Sequence, residues 1–309
     1  MRFLVTGGSG FVGQHLLRHL TGLGHETISW GLANERADAT NSVDLRVAAE
    51  LPEGDLRGQD AVIHLAGLAQ VSESFAEPER YVSTNAGMQI NLMEALLKQS
   101  SKARILVIST GGVYRAGPGR LTETSATEPA NPYVISKLTQ ELLASYYMQR
   151  GLDVIIARPF NHFGPGQHRG YLVADLASQI AALERRGGGE LAVGNLASER
   201  DYTDVRDVVA AYSSLIASGR SGATYNVCSG VSRTGSEIFE TLADLATVQV
   251  TAAPQASLQR PTDSNQVAAS NERIRRDTGW QPQIPLDAAL ADTLAYWREQ
   301  QPPRSVRST

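Results

Sequence analysis

The opening of the chain constrains its fold more than any other segment. A short apolar strand at residues 2–6 runs directly into Gly7, Gly10 and Gly13, three glycines spaced three apart. In this arrangement Gly7 permits the tight turn that leaves the strand, Gly10 lets the backbone approach a phosphate, and Gly13 lets a helix pack against the sheet. The helix is predicted from apolar residues at Phe11, Val12, Leu16, Leu17, Leu20 and Leu23. Because a helix N-terminus offers unpaired amides to an anion, the sequence predicts a dinucleotide site that includes Phe11 and Val12; an ordinary strand-to-helix turn is the alternative.

Short β-branched runs alternate with helical patterns over the first half of the chain. Strands are predicted at 2–6, 26–29, 61–65, 104–109 and 153–158, and long crossover helices at 80–99 and 133–148. Strands that alternate with helices pair in parallel, and their crossovers are right-handed. The expected fold is therefore α/β, a doubly wound parallel sheet of the Rossmann type.

The alternation of strands and helices changes after Arg158, where prolines and glycines, including the run 187–189, separate shorter elements. This change predicts a smaller mixed α/β domain. We expect a dinucleotide-binding domain at 1–160 and a second domain at 161–309. Within the second, about 202–230 is expected to pack back on the first.

Charge and cysteine content narrow the classes of partner. The 309 residues carry 28 basic and 32 acidic side chains, a formal net charge of −4, which argues against nucleic acid and favours a small-molecule ligand. Cys228 is the single cysteine, so no internal disulfide can form and a cytoplasmic location is expected. No stretch approaches the roughly 20 apolar residues of a membrane span. The six histidines are scattered, so no metal site is expected.

Tyr133 and Lys137 form the second informative pattern. Residues four apart on a helix share a face, so the Lys137 ammonium can lie near the Tyr133 hydroxyl. A nearby cation favours the phenolate, which predicts a lowered pKa for Tyr133 and proton exchange near neutrality. The apolar run 105–108 ends at Ser109 and Thr110. Ligands of open α/β sheets bind where strands end, so the Thr110 hydroxyl is expected to meet Tyr133 there. The alternatives are a chance surface pair and a threonine that bonds its own backbone.

Several motifs together resemble a known family. They are TGGSGFVG at 6–13, HLAG at 64–67, STGGVY at 109–114 and YVISK at 133–137. These motifs resemble the extended short-chain dehydrogenase/reductase family, which modifies nucleotide sugars. The resemblance extends to RPFNHFGPGQ at 158–167, RDYTDVRD at 200–207, YNVCSG at 225–230, QRP at 259–261 and TGW at 278–280. Within the family, the chain looks most like the GDP-4-keto-6-deoxy-D-mannose reductases.

The resemblance implies a reductase. Hydride from the cofactor would pass to the C4 ketone of GDP-4-keto-6-deoxy-D-mannose, and Tyr133 would donate a proton to the forming alkoxide. Lys137 would hold the nicotinamide ribose and lower the tyrosine pKa, and Thr110 would hydrogen-bond the sugar oxygen. The expected product is GDP-D-rhamnose, with its C4 epimer GDP-6-deoxy-D-talose as the alternative.

The same resemblance implies further contacts with both ligands. The expected cofactor contacts outside the glycine loop are Asp44 and Leu45 at the adenine, Leu65, Ala66 and Gly67 at the pyrophosphate, and the His162 backbone at the nicotinamide amide. The expected contacts of the nucleotide sugar, besides Thr110, are Asn161, Arg200, Arg260 and Asp263. Guanidinium groups suit this role because they bind phosphate oxygens in a bidentate way. For Asp44, a helix N-cap is an equal interpretation.

Gly111 and Gly112 bear on the type of reaction. Related 4,6-dehydratases carry acidic residues after the strand-end threonine, and these glycines cannot transfer a proton, so elimination is not expected. A nucleotide-sugar 4-epimerase, which can use the same Tyr133 and Lys137 with a tightly held cofactor, stays as the main alternative. A sensor that binds dinucleotide without turnover is disfavoured because Thr110, Tyr133 and Lys137 are all present.

The end of the second predicted strand bears on cofactor choice. NAD enzymes usually carry an acid there for the adenosine ribose, and this chain has Gly31. The glycine removes a group that would repel a 2′-phosphate, so NADP(H) is favoured and NAD(H) is the alternative. Arg36 is interpreted equally as a phosphate contact and as a solvated charge, and Glu35 is a possible ribose contact.

The helices predicted at 80–99 and 133–148 carry apolar residues on more than one face. These residues are Met88, Ile90, Leu92, Met93, Leu96, Leu142, Leu143, Tyr146 and Tyr147. One apolar stripe of each helix packs on the sheet, so a second apolar stripe predicts contact with a partner chain. The resemblance also implies a homodimer built through a four-helix bundle.

Overall fold

The computed structural model describes residues 1–32, 41–117, 119–255 and 268–301. The strands are β1 Arg2–Thr6, β2 Glu26–Gly31, β3 Asn41–Ser42, β4 Ala61–His64, β5 Arg104–Ile108, β6 Asp153–Pro159, β7 Asn161–Phe163, β8 Gly189–Val193, β9 Glu199–Asp204, β10 Thr224–Val227, β11 Ser232–Thr234 and β12 Val250–Pro254. The helices are α1 Phe11–Gly22, α2 Glu53–Leu56, α3 Val71–Ala76, α4 Pro78–Lys98, α5 Pro132–Gln149, α6 Leu172–Arg186, α7 Val205–Ser218, α8 Gly235–Asp244, α9 Glu272–Thr278 and α10 Leu286–Glu299. In these ranges no helix combines the length and apolarity of a membrane span.

Seven strands form the main sheet in the order β10-β6-β5-β4-β1-β2-β3, and each neighbouring pair runs parallel. Side chains alternate between its two faces, as the pleat requires. Phe3 lies in the core that includes α1 and α7, and Leu4 lies in the opposite core with α4 and α5. Helices therefore cover both faces, and the predicted doubly wound α/β fold is confirmed.

The five strands and two crossover helices predicted in the first half are present, with ends displaced by at most two residues. Local chemistry explains the start of α5, the helix that carries the Tyr–Lys pair. The Asn131 side chain accepts a hydrogen bond from the Val134 amide at 2.9 Å, and Pro132 occupies the first turn. An N-cap with a proline just inside the helix is a strong start signal. This start places Tyr133 at the beginning of α5.

The remaining strands form two small sheets, β11-β9-β7 and β12-β8. With α6, α8 and α10 they enclose a separate core that includes Phe163, Ile180, Ile238 and Leu290. In contrast, β10 pairs with β6, and α7 packs in the core of the main sheet. The domain bounds at 1–160 and 161–309 stay a prediction.

A fourth, small core lies at the carboxyl ends of β5 and β6. Its buried members are Val113, Tyr114, Val134, Phe160, Cys228 and Ala269, with Tyr133 packed against them. These residues come from five separate parts of the chain. The cluster therefore fixes the segment after β5 against the start of α5.

Candidate active site

The loop after β1 requires its glycines. Gly7 has a φ of +76°, and a Cβ at that position would lie 2.7 Å from the Ala66 amide nitrogen. A Cβ on Gly13 would collide with the Gly7 carbonyl oxygen, whereas one on Gly10 would meet that oxygen at 3.3 Å. Gly10 is the N-cap of α1 and supplies no side-chain cap. The bare helix N-terminus and the tight turn together fit a pyrophosphate.

The segment after β4 lies against this loop. Leu65 donates its amide to the Thr6 carbonyl at 3.1 Å, and the Ala66 amide donates to Thr6 Oγ1 at 3.3 Å. Gly67 follows, and a Cβ there would lie 3.6 Å from Lys137 Nζ. Leu65, Ala66 and Gly67 thus connect the glycine loop to the Tyr–Lys pair.

β2 ends beside the glycine loop. The Gly7 amide donates to the Trp30 carbonyl at 2.7 Å, and Gly31 is the last residue of β2. The place where NAD enzymes carry an acid therefore holds a glycine next to the loop. Glu35 and Arg36 lie outside the described residues.

Asp44 and Leu45 follow β3, and each is tied to a neighbour. The Asp44 carboxylate accepts from the Arg46 amide at 2.9 Å and from Arg46 Nε at 2.8 Å. The Arg46 guanidinium holds the pKa of that carboxyl below its usual range. Leu45 is buried, and its carbonyl accepts from Asn91 Nδ2 at 2.8 Å. The helix N-cap interpretation of Asp44 is wrong, because the next helical turn starts at Ala48 with Val47 as its N-cap.

Thr110 and Tyr133 meet at the end of β5. The Thr110 side chain acts on the Tyr133 phenol and lowers its pKa, and the Thr110 hydroxyl accepts from the Gly112 amide at 3.1 Å. Both interpretations of Thr110 from the sequence are therefore present together. The hydrogen bond from the Gly112 amide orients the Thr110 hydroxyl, which faces Tyr133.

Lys137 is buried one turn further along α5. Its Nζ donates to the Ile108 carbonyl at 3.0 Å and to Gln140 Oε1 at 2.9 Å. The same nitrogen lies 5.9 Å from the centroid of the Tyr133 ring. The amine thus faces the ring while β5 and α5 hold it in place.

The pKa expected for Tyr133 differs from what the structure gives. Burial raises the pKa of Tyr133 well above its usual value, and the Thr110 side chain offsets only part of that rise. Burial also lowers the pKa of Lys137 to about 8. The prediction of a lowered tyrosine pKa is therefore wrong for the ligand-free protein, because desolvation of the phenol is the largest effect on its pKa. At neutral pH Tyr133 is a proton donor beside a charged amine.

Two further tyrosines face the site, and the sequence did not single them out. Tyr171, the N-cap of α6, and Tyr81 of α4 both act electrostatically on Tyr133 and raise its pKa. The Tyr81 hydroxyl donates to the Gln70 carbonyl at 2.8 Å, and the Tyr171 ring stacks on His168 with centroids 5.2 Å apart. Neither tyrosine has a helical or strand spacing that relates it to Tyr133, so only tertiary structure reveals them.

Phe160 occupies the space that a side chain at position 111 would need. A Cβ on Gly111 would lie 2.8 Å from three atoms of the Phe160 ring, whereas one on Gly112 would lie no closer than 3.4 Å from Thr110 Oγ1. The Phe160 ring also stacks on Tyr114 with centroids 6.1 Å apart. Position 111 therefore has neither an acidic side chain nor the room for one.

A buried ion pair supports the floor of the site. Arg158 donates to Glu141 through Nε at 2.8 Å and through NH2 at 2.6 Å, and Ser109 Oγ donates to the same carboxylate at 2.5 Å. The guanidinium lies 4.8 Å from the centroid of the Tyr114 ring. These contacts join α5 to the ends of β5 and β6. Glu141 lies four residues after Lys137 on α5, and this helical spacing is the sequence signal that could have found the pair.

Asn161 and His162 lie on β7, which pairs with β9. Asn161 is exposed opposite Tyr202. The His162 carbonyl accepts from Gln167 Nε2 at 3.0 Å, and its ring lies parallel to that of Phe11, 6.4 Å between centroids. His162 therefore lies next to the start of α1.

Arg200 lies on β9, and Arg260 and Asp263 fall in residues 256–267. Arg200 is half-buried, and its NH1 donates to the Glu199 carbonyl at 2.7 Å. Arg260 and Asp263 lie outside the described residues. The described chain resumes at Ala268, whose carbonyl accepts from the Leu121 amide at 2.8 Å. The next residue joins the core beneath Tyr133.

Known proteins resemble this chain over nearly its whole length. The sequence profile of the NAD dependent epimerase/dehydratase family matches residues 3–228. The chain is 36% identical to the GDP-6-deoxy-D-mannose reductase of Pseudomonas aeruginosa, covering 96% of this chain and 97% of that protein. It is 29% identical to a UDP-glucose 4-epimerase of Mycolicibacterium smegmatis, covering 96% and 99%. The structure of RMD from Pseudomonas aeruginosa complexed with NADPH superposes with a TM-score of 0.84 at 36% identity, covering 97% and 99%. Because the profile spans most of the chain and full-length relatives share its fold, this protein belongs to the NAD dependent epimerase/dehydratase family.

Proposed function

We propose that this protein is a reductase that uses NADPH to reduce the C4 ketone of GDP-4-keto-6-deoxy-D-mannose. The observation that carries the proposal is the meeting of Thr110 and Tyr133 beside the Lys137 amine, next to a glycine loop shaped for a dinucleotide. The 36% identity with a GDP-6-deoxy-D-mannose reductase over nearly the full length supports the substrate class. Gly31 and the NADPH in the RMD structure support NADP(H), with NAD(H) as the alternative.

The described residues fit the cofactor on one edge of the main sheet. The residues proposed to hold it are Gly7, Gly10, Phe11, Val12, Gly13, Asp44, Leu45, Leu65, Ala66, Gly67, Tyr133, Lys137 and His162. The need for glycine at positions 7 and 13 supports this assignment. When bound, the reduced nicotinamide supplies the hydride for C4.

The side chains of the protein supply the proton and the charge. Burial keeps Tyr133 protonated, so its hydroxyl donates to the oxygen as negative charge develops there. The Thr110 hydroxyl donates to the same oxygen, and the Lys137 ammonium stabilises the tyrosinate that remains. Asn161, Arg200, Arg260 and Asp263 are proposed to bind the GDP-sugar.

GDP-D-rhamnose is the proposed product, and GDP-6-deoxy-D-talose is the alternative. The second candidate function is a nucleotide-sugar 4-epimerase, favoured by the 29% identity with a UDP-glucose 4-epimerase. Gly111 under the Phe160 ring disfavours a dehydratase, because it leaves no room for an acid at that position. NMR of the product fixes the configuration at C4.

The test is to mix the protein with NADPH and GDP-4-keto-6-deoxy-D-mannose and to follow the absorbance of the reduced nicotinamide. A reductase oxidises NADPH stoichiometrically, an epimerase forms an isomer without net consumption, and a binding protein does neither. Tyr133→Phe should abolish turnover and spare NADPH affinity. Tyr296→Phe, a matched change on α10, should keep the wild-type rate. A Tyr133→Phe variant with unchanged turnover would remove Tyr133 from the mechanism.

We also propose a cytoplasmic homodimer joined through α4 and α5. The exposed apolar face is smaller than the sequence predicted, because Met88, Leu92, Met93, Leu96 and Tyr147 are buried within the chain. Ile90, Leu142 and Tyr146 remain exposed, and Leu142 shows 72% of its surface. Two such helix pairs would form a four-helix bundle.

Leu142→Glu should convert the dimer to a monomer in sedimentation experiments, because it places a charge in the proposed interface. Leu245→Glu, another exposed leucine outside α4 and α5, is the control and should remain dimeric. A wild-type protein that stays monomeric at every concentration would contradict the homodimer.

A further inference from the structure

Lys137 shares its buried position with an amide one turn further along α5. Lys137 Nζ donates to Gln140 Oε1 at 2.9 Å, and both side chains are more than nine-tenths buried. Gln140 Nε2 donates to the Asn85 carbonyl of α4 at 3.2 Å. This second bond fixes the orientation of the amide, since reversing it would turn donors toward the ammonium. The contact with α4 thus aims the oxygen of Gln140 at Lys137.

The ionisable groups around Lys137 leave its charge without a counterion. Glu141 is engaged by Arg158 and Ser109. His64 on β4 is bound through Nδ1 to Thr6 Oγ1 at 2.8 Å, and burial, aided by the Lys137 charge, lowers the pKa of His64 to about 3. Tyr133 is protonated, and the other acceptor of Nζ is the neutral Ile108 carbonyl. In the described part of the chain, Gln140 is the one side chain that accepts from Lys137 Nζ.

We propose that Gln140 is a positioning residue that fixes the Lys137 amine in the site while leaving its positive charge uncompensated. The inference rests on the proposed function for the role of that charge, which is to stabilise the Tyr133 phenolate. A carboxylate in place of the amide would make the same bond but neutralise the ammonium. An aliphatic side chain would leave the amine with the Ile108 carbonyl alone. Substitutions at position 140 can therefore change the position of the Lys137 amine separately from the net charge around it.

The two substitutions should move the titration of Lys137 in opposite directions. In Gln140→Glu the added negative charge raises the Lys137 pKa by roughly 1 to 3 units. In Gln140→Met the loss of an acceptor for the charged form lowers it. The chain has three lysines, Lys98, Lys102 and Lys137. NMR of protein labelled with 13C at the lysine ε-carbon therefore gives three resonances, of which two belong to exposed side chains.

The NMR titration uses the full chain without substrate, so it tests Gln140 separately from the proposed reaction. With substrate, the alkaline limb of kcat should move up in Gln140→Glu and down in Gln140→Met. The maximal kcat of Gln140→Glu should fall roughly tenfold or more, since the charge near Tyr133 is neutralised, with a smaller change in KM. If no variant reduces the ketosugar but the titrations shift as expected, the proposed function fails and the positioning role stands.

Gln89→Met is the matched control. Gln89 Nε2 donates to the Gln140 backbone carbonyl at 2.9 Å across the same α4–α5 contact, and it makes no bond to Lys137 in the described structure. This variant should lose stability and keep the wild-type Lys137 titration. If both Gln140 variants also lose stability while Lys137 titrates as in the wild type, Gln140 serves only packing and the inference is overturned.

Discussion

The contact between Gly111 and Phe160 yields a sharp stability prediction. A Cβ at position 111 would stand 2.8 Å from the Cγ, Cδ1 and Cδ2 atoms of Phe160, well inside the roughly 3.5–4.0 Å that carbon atoms prefer. The ring is buried and stacked on Tyr114, so it cannot move away without disturbing the cluster beneath the site. Gly111→Ala therefore overpacks this cluster.

The magnitude follows from two opposing effects. Overpacking a well-packed core costs about 1–3 kcal/mol. Glycine-to-alanine changes at an ordinary φ recover about 0.4–1 kcal/mol from the unfolded state, and Gly111 is not among the positive-φ residues. The expected net loss in Gly111→Ala is about 1–2 kcal/mol of unfolding free energy. In Gly112→Ala the nearest atom lies 3.4 Å away, so the expected change is within about 0.5 kcal/mol.

Urea denaturation of both variants measures the difference. The midpoint should fall for Gly111→Ala alone, with an unchanged slope. Combining Gly111→Ala with Phe160→Leu should restore part of the loss, which a double-mutant cycle reports as a coupling of about 1 kcal/mol. Equal stability of the two alanine variants, or strict additivity with Phe160→Leu, would refute the steric explanation of position 111.

Three further predictions test the glycine loop after β1, the buried ion pair and the charge of Lys137. Gly7 and Gly24 both have left-handed backbones, but only a Cβ on Gly7 meets other atoms, so Gly7→Ala should weaken NADPH binding in a fluorescence titration while Gly24→Ala should not. Glu141→Gln leaves the Arg158 charge buried without a counterion and should cost about 3–5 kcal/mol in urea denaturation; a loss below 1 kcal/mol would contradict it. Because the Lys137 pKa is lowered to about 8, its charge is lost as pH rises, and kcat should fall above pH 8; a rate that holds steady well beyond that pH would contradict the role of the ammonium.

Local chemistry accounts for what the sequence predicted well. The start of α5 follows from the Asn131 cap and Pro132, which lie next to each other in the chain. The turn at Gly7 likewise depends on a backbone conformation that glycine adopts readily. Elements of this kind can be placed without knowing what packs against them. The meeting of Thr110 and Tyr133 also follows, because the crossover helix α5 starts at the edge of the sheet where β5 ends.

The sign of the Tyr133 pKa shift was not predictable in this way. Sequence spacing identified the cation at position 137, but burial raises the pKa of Tyr133, and Tyr81 of α4 and Tyr171 at the start of α6 raise it further. Gln140 was missed for a similar reason, since its orientation is set by the Asn85 carbonyl rather than by its neighbours in α5. Charges can be counted along a chain, whereas burial is a property of the assembled core.

The protonation states of the ligand-free site suit proton donation to a substrate oxygen. Burial acts on Tyr133 and Lys137 in opposite senses, raising one pKa and lowering the other, because in each case it disfavours the charged form. Below pH 8 the amine is nevertheless charged and the phenol neutral. A neutral phenol can give a proton to an alkoxide at once, whereas oxidation of an alcohol would first require its ionisation. The uncharged Gln140 keeps the ammonium available to the phenolate that forms, so the ligand-free site already holds the proton that ketone reduction consumes and the charge that stabilises the phenolate.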